Sequence, residues 1–201
     1  LILARRGLRV VVADMDIGGG NQHIMFGLLQ PERTLTHFLN REIPELSDVL
    51  MDVEICPRLQ LLAGTGETLA TANPRWATKQ RLINHMRKLD ADVVLVDVSA
   101  GTNYHVLDFF LMADFQIVVT TPEPTAIFDC YKLVKLSVIR RVLSMFLGQS
   151  DMKARLQDKD FGSIEDVVNA VVEGDVAEDE AKTKAEAALR SYHPLLVINR
   201  V

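Results

Sequence analysis

Short, nearly continuous aliphatic runs recur along the chain at Leu8–Ala13, Leu59–Ala63, Val93–Val98, Phe115–Thr120 and Leu195–Ile198. Runs of this length without polar alternation predict strands buried on both faces of a parallel sheet. Helical segments separate them: Leu46–Met51, Pro74–Leu89, Tyr104–Met112 and a long stretch from Thr125 to Leu147. In Trp76–Leu89 the apolar residues Trp76, Leu82, Ile83, Met86 and Leu89 fall mostly on one face, as an amphipathic helix requires. Strand and helix in alternation predict an α/β fold with a doubly wound, mostly parallel sheet and flanking helices. Ligands of such sheets bind at the carboxyl ends of the strands.

From about Arg140 to His193 the rhythm breaks. Two helical patterns, Ile164–Val172 and Ala177–Leu189, follow one another without a strand between them. The region about 140–194 is therefore read as a helical insertion before the last strand, within a single domain spanning 1–201. The acidic run Glu173, Asp175, Glu178, Asp179 and Glu180 reads as a solvated helix start, where carboxylates favour the dipole. The stripe Val134, Val138, Val142 with Ile139 and Phe146 reads by default as core, with a dimer or partner face as the sharper option.

The ends carry their own expectation. Leu-Ile-Leu-Ala-Arg-Arg-Gly reads as the end of a helix, with Arg5 and Arg6 on its negative pole and Gly7 as its stop. The beginning of that helix is not in view, so the 201 residues are expected to be an internal piece of a longer protein.

Composition narrows the function classes. The chain has 22 Lys+Arg against 27 Asp+Glu, a formal charge of −5, with 48% hydrophobic and 24% charged residues. That balance excludes disorder and a chain held mainly by non-specific nucleic-acid contact. Two widely separated cysteines, Cys56 and Cys130, fit a reduced, cytoplasmic protein. His23, His37, His85, His105 and His193 are dispersed, which argues against a zinc site.

Three loops carry candidate chemistry. The first strand runs into Asp14-Met15-Asp16-Ile17-Gly18-Gly19-Gly20-Asn21, with two carboxylates two residues apart and glycines that let backbone approach a ligand. Another apolar strand ends at Asp97, followed by Val98-Ser99-Ala100-Gly101-Thr102; a carboxylate in that position suits Mg²⁺ held through water. After the last strand comes Asn199-Arg200, where an amide could read a base edge. Singly, each has a plain structural explanation as a turn or cap. Three in order at one sheet edge favour a nucleotide–metal site.

These segments resemble the MinD/ParA family of deviant Walker ATPases, most closely its MinD and FlhG/FleN branch. Val10–Gly27 is similar to the family's switch I, with Pro31–Leu35 (Pro-Glu-Arg-Thr-Leu) after it. Val94–Thr102 and the following Val-Leu-Asp-Phe-Phe resemble Walker B and switch II. Thr120–Ile127 is similar to the segment after the next strand, and Val197–Arg200 to the base-recognition strand.

The resemblance implies a role for each matched residue. Asp16 is the catalytic aspartate that orients the attacking water. Asp14 is the acid near the metal, and Asn21 is matched by motif alone. Asp97 holds Mg²⁺ through water, Gly101 lends its backbone to γ-phosphate sensing, and Asn199 contacts the adenine. It implies ATP and Mg²⁺ as cofactors and an ATP-bound homodimer that recruits a protein regulator or cargo. The outcome is a switch for division-site, flagellar or polar placement. Any peripheral membrane contact would run through segments outside this chain.

Two departures stand beside the resemblance. The family's glycine- and lysine-rich P-loop is not among these residues, and Ser99 stands where many relatives carry proline. One alternative is a ParA-like partitioning ATPase using Lys132, Lys135, Arg140 and Arg141 on DNA; nucleic acid ranks lower because the total charge is acidic. The other is a non-hydrolysing scaffold that binds a partner through the insertion. Three acids at one sheet edge speak against it.

Overall fold

A computed structural model describes residues 1–16, 19–64, 76–146, 156, 159–174 and 176–199. The chain divides into two compact units, Leu1–Ala100 and Gly101–Val201.

In the first unit, α1 (Ile2–Arg5) ends as its sequence predicts, with Gly7 at φ +97°, the left-handed conformation that glycine adopts without strain. The chain turns into β1 (Val10–Asp14), which lies between β3 (Leu59–Leu62) and β4 (Val93–Asp97) and runs parallel to both. A two-residue strand, β2 (Met51–Asp52), pairs antiparallel with β3, giving the order β2-β3-β1-β4. Val10, Val11 and Ala13 of β1 and Leu59, Leu61 and Leu62 of β3 are buried, as two-faced strands should be. Short helices α2 (Gln22–Met25) and α3 (Leu35–Leu39), a 3₁₀ turn (Leu46–Val49) and α4 (Trp76–Met86) complete the unit. Leu35, Phe38, Leu46, Val49, Leu82 and Met86 supply their apolar contacts to its interior.

Two expectations need correction here. The predicted helix Leu46–Met51 is a single 3₁₀ turn followed by β2, because Met51 pairs with Leu61 instead of continuing a helix. β4 is not buried on both faces: Leu95 is 43% exposed, since β4 is the outer strand of the four.

The second unit opens with α5 (Tyr104–Met112), whose first turn is capped by the Asn103 side chain accepting from the N–H groups of His105 and Val106. Parallel strands β5 (Ile117–Thr120) and β6 (Leu195–Ile198) pair in the register Ile117↔Leu195 to Thr120↔Ile198. Neither is buried on both faces. β5 alternates exposed and buried, and all four residues of β6 are exposed, because each is an edge of a two-stranded sheet.

Between the strands run α6 (Pro124–Ser144), α7 (Ile164–Val172) and α8 (Glu178–Arg190), so both helical patterns of the 140–194 region are present. Their core gathers Ile139, Val142, Leu143 and Phe146 with Val167, Val171 and Ala185, which assigns Val142, Ile139 and Phe146 of the stripe to packing; Val134 and Val138 are partly exposed. Ser163 caps α7 by accepting from Asp166 N–H. Glu178, Asp179 and Glu180 occupy the first turn of α8, two of them paired along the helix with Lys182 and Lys184; Asp175 lies outside the described residues. Tyr192 bonds Ser137 of α6 at 2.5 Å, pinning the chain just before β6. Among the described residues, no helix is long and apolar enough to cross a membrane.

Candidate functional site

Parallel pairing brings two of the expected acids together. Asp14 and Asp97 are register partners at the carboxyl ends of β1 and β4, and Met15 N–H donates to the Asp97 carbonyl at 2.8 Å. Asp14 is 1% exposed, whereas Asp97 is exposed.

The chain after β1 folds back over Asp14. Its carboxylate accepts from the backbone N–H of Asp16 and of Gln22, each at 3.1 Å. A buried carboxylate needs such donors, because an ion without partners in a dry site costs several kcal/mol. Burial nevertheless raises the Asp14 pKa above its ordinary value. The two N–H bonds oppose that rise, and the charges of Asp97 and Asp16 add to it.

The glycines show why the turn is shaped as it is. A Cβ on Gly20 would sit 2.7 Å from Asp14 Oδ2, and one on Gly19 would sit 2.9 Å from Asp16 Oδ2. From the end of β3, a Cβ on Gly64 would come within 3.1 Å of Asp14 Cγ. Gly19, Gly20 and Gly64 thus pack closely on the protein's own carboxylates.

The two-residue spacing of Asp14 and Asp16 does not place them on one face of a strand: β1 ends at Asp14, so Asp16 lies beyond the pleat and donates its N–H to Asp14. Asp16 is half-buried and therefore accessible in a way Asp14 is not. Asn21 is exposed and sits at the start of α2, where its side chain caps nothing. Ile17 and Gly18 lie outside the described residues.

Gln22 was not foreseen. Its backbone N–H bonds Asp14 and its side-chain amide donates to Asp97, so one residue joins both acids. The available signal was its place immediately after the glycine-rich turn.

Gly101 and Asn199 belong to the second unit. Gly101 has φ +115°, a conformation that disfavours any side chain. Asn199 follows β6, is exposed, and donates its N–H to the Thr120 carbonyl at 2.8 Å.

Magnesium prefers oxygen donors, keeps several waters and takes one or two carboxylates together with phosphate oxygens. Asp97, exposed at the end of β4 in register with Asp14, fits that pattern. Among the described residues no group of three acidic, histidine or cysteine side chains forms a protein-only cage.

No protein-family model matches the chain. It is 33% identical over 140 residues to the antiactivator FleN of Pseudomonas aeruginosa, covering 68% of this chain and 48% of that protein. To the flagellum site-determining protein YlxH of Helicobacter pylori it is 29% identical over 142 residues, covering 67% and 45%. The fold is that of the cell division ATPase MinD of Pyrococcus furiosus, with a TM-score of 0.53 at 20% identity over 94% of this chain and 88% of that one. The chain belongs to the MinD/ParA family.

As a MinD/ParA member it has the mostly parallel sheet with flanking helices expected of a P-loop NTPase. The chain spans about half the length of the curated relatives it matches.

Proposed function

We propose that this chain forms the switch-bearing part of an ATP-dependent molecular switch that hydrolyses ATP as a nucleotide-bound homodimer and controls spatial placement through a protein regulator or cargo. The observation that carries the reading is the in-register pair Asp14 and Asp97 at the ends of adjacent parallel strands, with the Asp16 turn folded onto it. Relatives named for flagellar-site and septum-site determination support the spatial role.

Phosphoryl transfer depends on positioning and charge neutralisation more than on covalent chemistry. Asp14 serves as a positioning residue: buried, it holds the N–H groups of Asp16 and Gln22 and so sets where the Asp16 carboxylate stands. Asp16 orients and activates the attacking water. Asp97 holds Mg²⁺ through water, with Gln22 steadying the carboxylate; the ion, when bound, neutralises charge on the phosphates. Gly101 offers a backbone N–H in a conformation only glycine adopts easily, Asn199 reads the adenine, and Asn21 acts within switch I.

The DNA-partitioning alternative loses ground to a specific observation. Arg140 pairs with Asp108, Lys132 with Asp129, and Arg141 bonds Ala188 and Ser191, so three of its four basic residues are engaged within the fold.

The test is Asp16→Ala in the intact protein. It is expected to retain nucleotide, accumulate as a dimer and lose turnover. Unchanged turnover would remove Asp16 from its role.

A further inference from the structure

The second unit contains a cavity of about 370 Å³ that the nucleotide reading leaves unused, a volume within the range of small-molecule sites. Leu107 of α5, Leu136 and Leu143 of α6 and Phe161 ahead of α7 give it an apolar floor. Arg140, Tyr104, Lys159 and Asp160 frame it, with Thr102 and Asn103 beside them. Arg140 is about four-fifths buried and spends its Nε on Asp108 Oδ1 at 2.9 Å. Its guanidinium carbon lies 5.0 Å from the centre of the Tyr104 ring, which holds the group in place. Tyr104 in turn donates its hydroxyl to Asp160 Oδ1 at 3.0 Å, closing one side. Lys159 stands exposed at the mouth.

A guanidinium has five N–H donors in a flat fork. Among the described residues the side-chain bond of Arg140 goes to Asp108 through Nε alone, so the outer fork is available to whatever fills the cavity. Asn103, whose side chain caps the first turn of α5, lines the same space. A buried cationic fork above an aliphatic and aromatic floor selects an acceptor-headed, apolar-bodied molecule.

We propose that this cavity binds a small organic acid: an alkyl or aryl body against Leu107, Leu136, Leu143 and Phe161, and a carboxylate on the outer N–H groups of Arg140 with Lys159 beside it. Thr102 and Asn103 line the same cavity and follow Gly101 directly. On the switch reading of Gly101, from which this part follows, an occupant packed on those residues holds the segment in one conformation and alters nucleotide turnover.

Phenylbutyrate is the probe, titrated calorimetrically into the full chain against phenylbutanol, which keeps the body and lacks the charge. Saturable binding of the acid, at least tenfold tighter than the alcohol, is expected. Arg140→Gln should weaken it at least tenfold, and Leu136→Trp, which fills the floor without touching the charges, should abolish it. Two variants guard against one failing to fold, and circular dichroism checks each. No saturable binding, equal binding of acid and alcohol, or full affinity in a folded Leu136→Trp chain would overturn the assignment. In the intact protein, a phenylbutyrate-dependent change in ATP turnover that Leu136→Trp removes supports the regulatory part, and tight binding without any change refutes it. If the intact protein shows no ATP turnover at all, the switch reading fails while the binding result stands.

Discussion

Gly20→Ala isolates the central contact of the candidate site. The added methyl would lie 2.7 Å from Asp14 Oδ2 and 3.0 Å from Oδ1, so the carboxylate must move. Asp14 has little room to do so, being 1% exposed and tied to two backbone N–H groups at 3.1 Å. Bonds to a charged acceptor contribute about 1.5–3 kcal/mol each, so losing one and bending the other costs roughly 2–3 kcal/mol. Elsewhere the same substitution stabilises by about 0.4–1 kcal/mol through the unfolded chain, and that gain offsets part of the loss. The net expectation is about 1–2.6 kcal/mol of destabilisation. For a chain of this size it lowers the melting temperature by roughly 2–10 °C. Thermal unfolding followed by circular dichroism measures it. In an Asp14→Ala background the obstacle is gone, and adding Gly20→Ala should then be neutral or mildly stabilising, a coupling that a double-mutant cycle reads directly. An unchanged or higher melting temperature with Asp14 present, or the same drop without it, would refute the packing argument.

Other expectations follow from single contacts. Burial raises the Asp14 pKa above that of the unfolded chain, so this group's contribution to stability is present in acid and is lost as pH rises through the raised value. Asp14→Asn should therefore gain stability relative to the parent as pH goes from weakly acidic to neutral, in denaturant melts; a difference that shrinks with rising pH would reverse the assignment. Ser163→Ala removes the cap of α7 and should cost about 1 kcal/mol in urea unfolding. Tyr192→Phe removes the bond to Ser137 but leaves Ser137 bonded to the Val134 carbonyl, so about 1 kcal/mol is expected, and a loss of several kcal/mol would show that the ring itself had shifted.

The strands of the first unit were legible because Val10–Ala13, Leu59–Leu62 and Val93–Val96 are aliphatic runs with turn residues at their ends. Helices α5 and α7 match Tyr104–Met112 and Ile164–Val172 residue for residue; Asn103 and Ser163 stand at their starts. The one-turn helices α2 and α3 are too short for a period to show, and α3 depends on the reciprocal bonds between Thr34 and His37. β2 exists through its partner: Met51 and Asp52 carry no strand pattern of their own and are ordered by Leu61 and Gln60. The exposure of β5 and β6 was equally hidden, since an apolar run does not say how many neighbours a strand will have.

At the site, the acids were visible as residue types at strand ends, while their inequality was not. Asp14 is buried and Asp97 exposed although they are register partners. The approach of Gly64 to Asp14 joins positions fifty apart along the chain, which only the pairing of β1 with β3 brings about. Gln22 stood in plain view after the glycine-rich turn, but its bridge to Asp97 depends on where β4 lies.

The most direct measurement is the affinity of the intact protein for a fluorescent ATP analogue with and without Mg²⁺, in the parent and in Asp97→Asn. A carboxylate that holds the ion should make binding Mg²⁺-dependent in the parent, and Asp97→Asn should remove most of that dependence while leaving metal-free binding unchanged. If Mg²⁺ strengthens binding equally in both proteins, Asp97 does not serve the metal, and the β1–β4 edge is not the nucleotide–metal site described here.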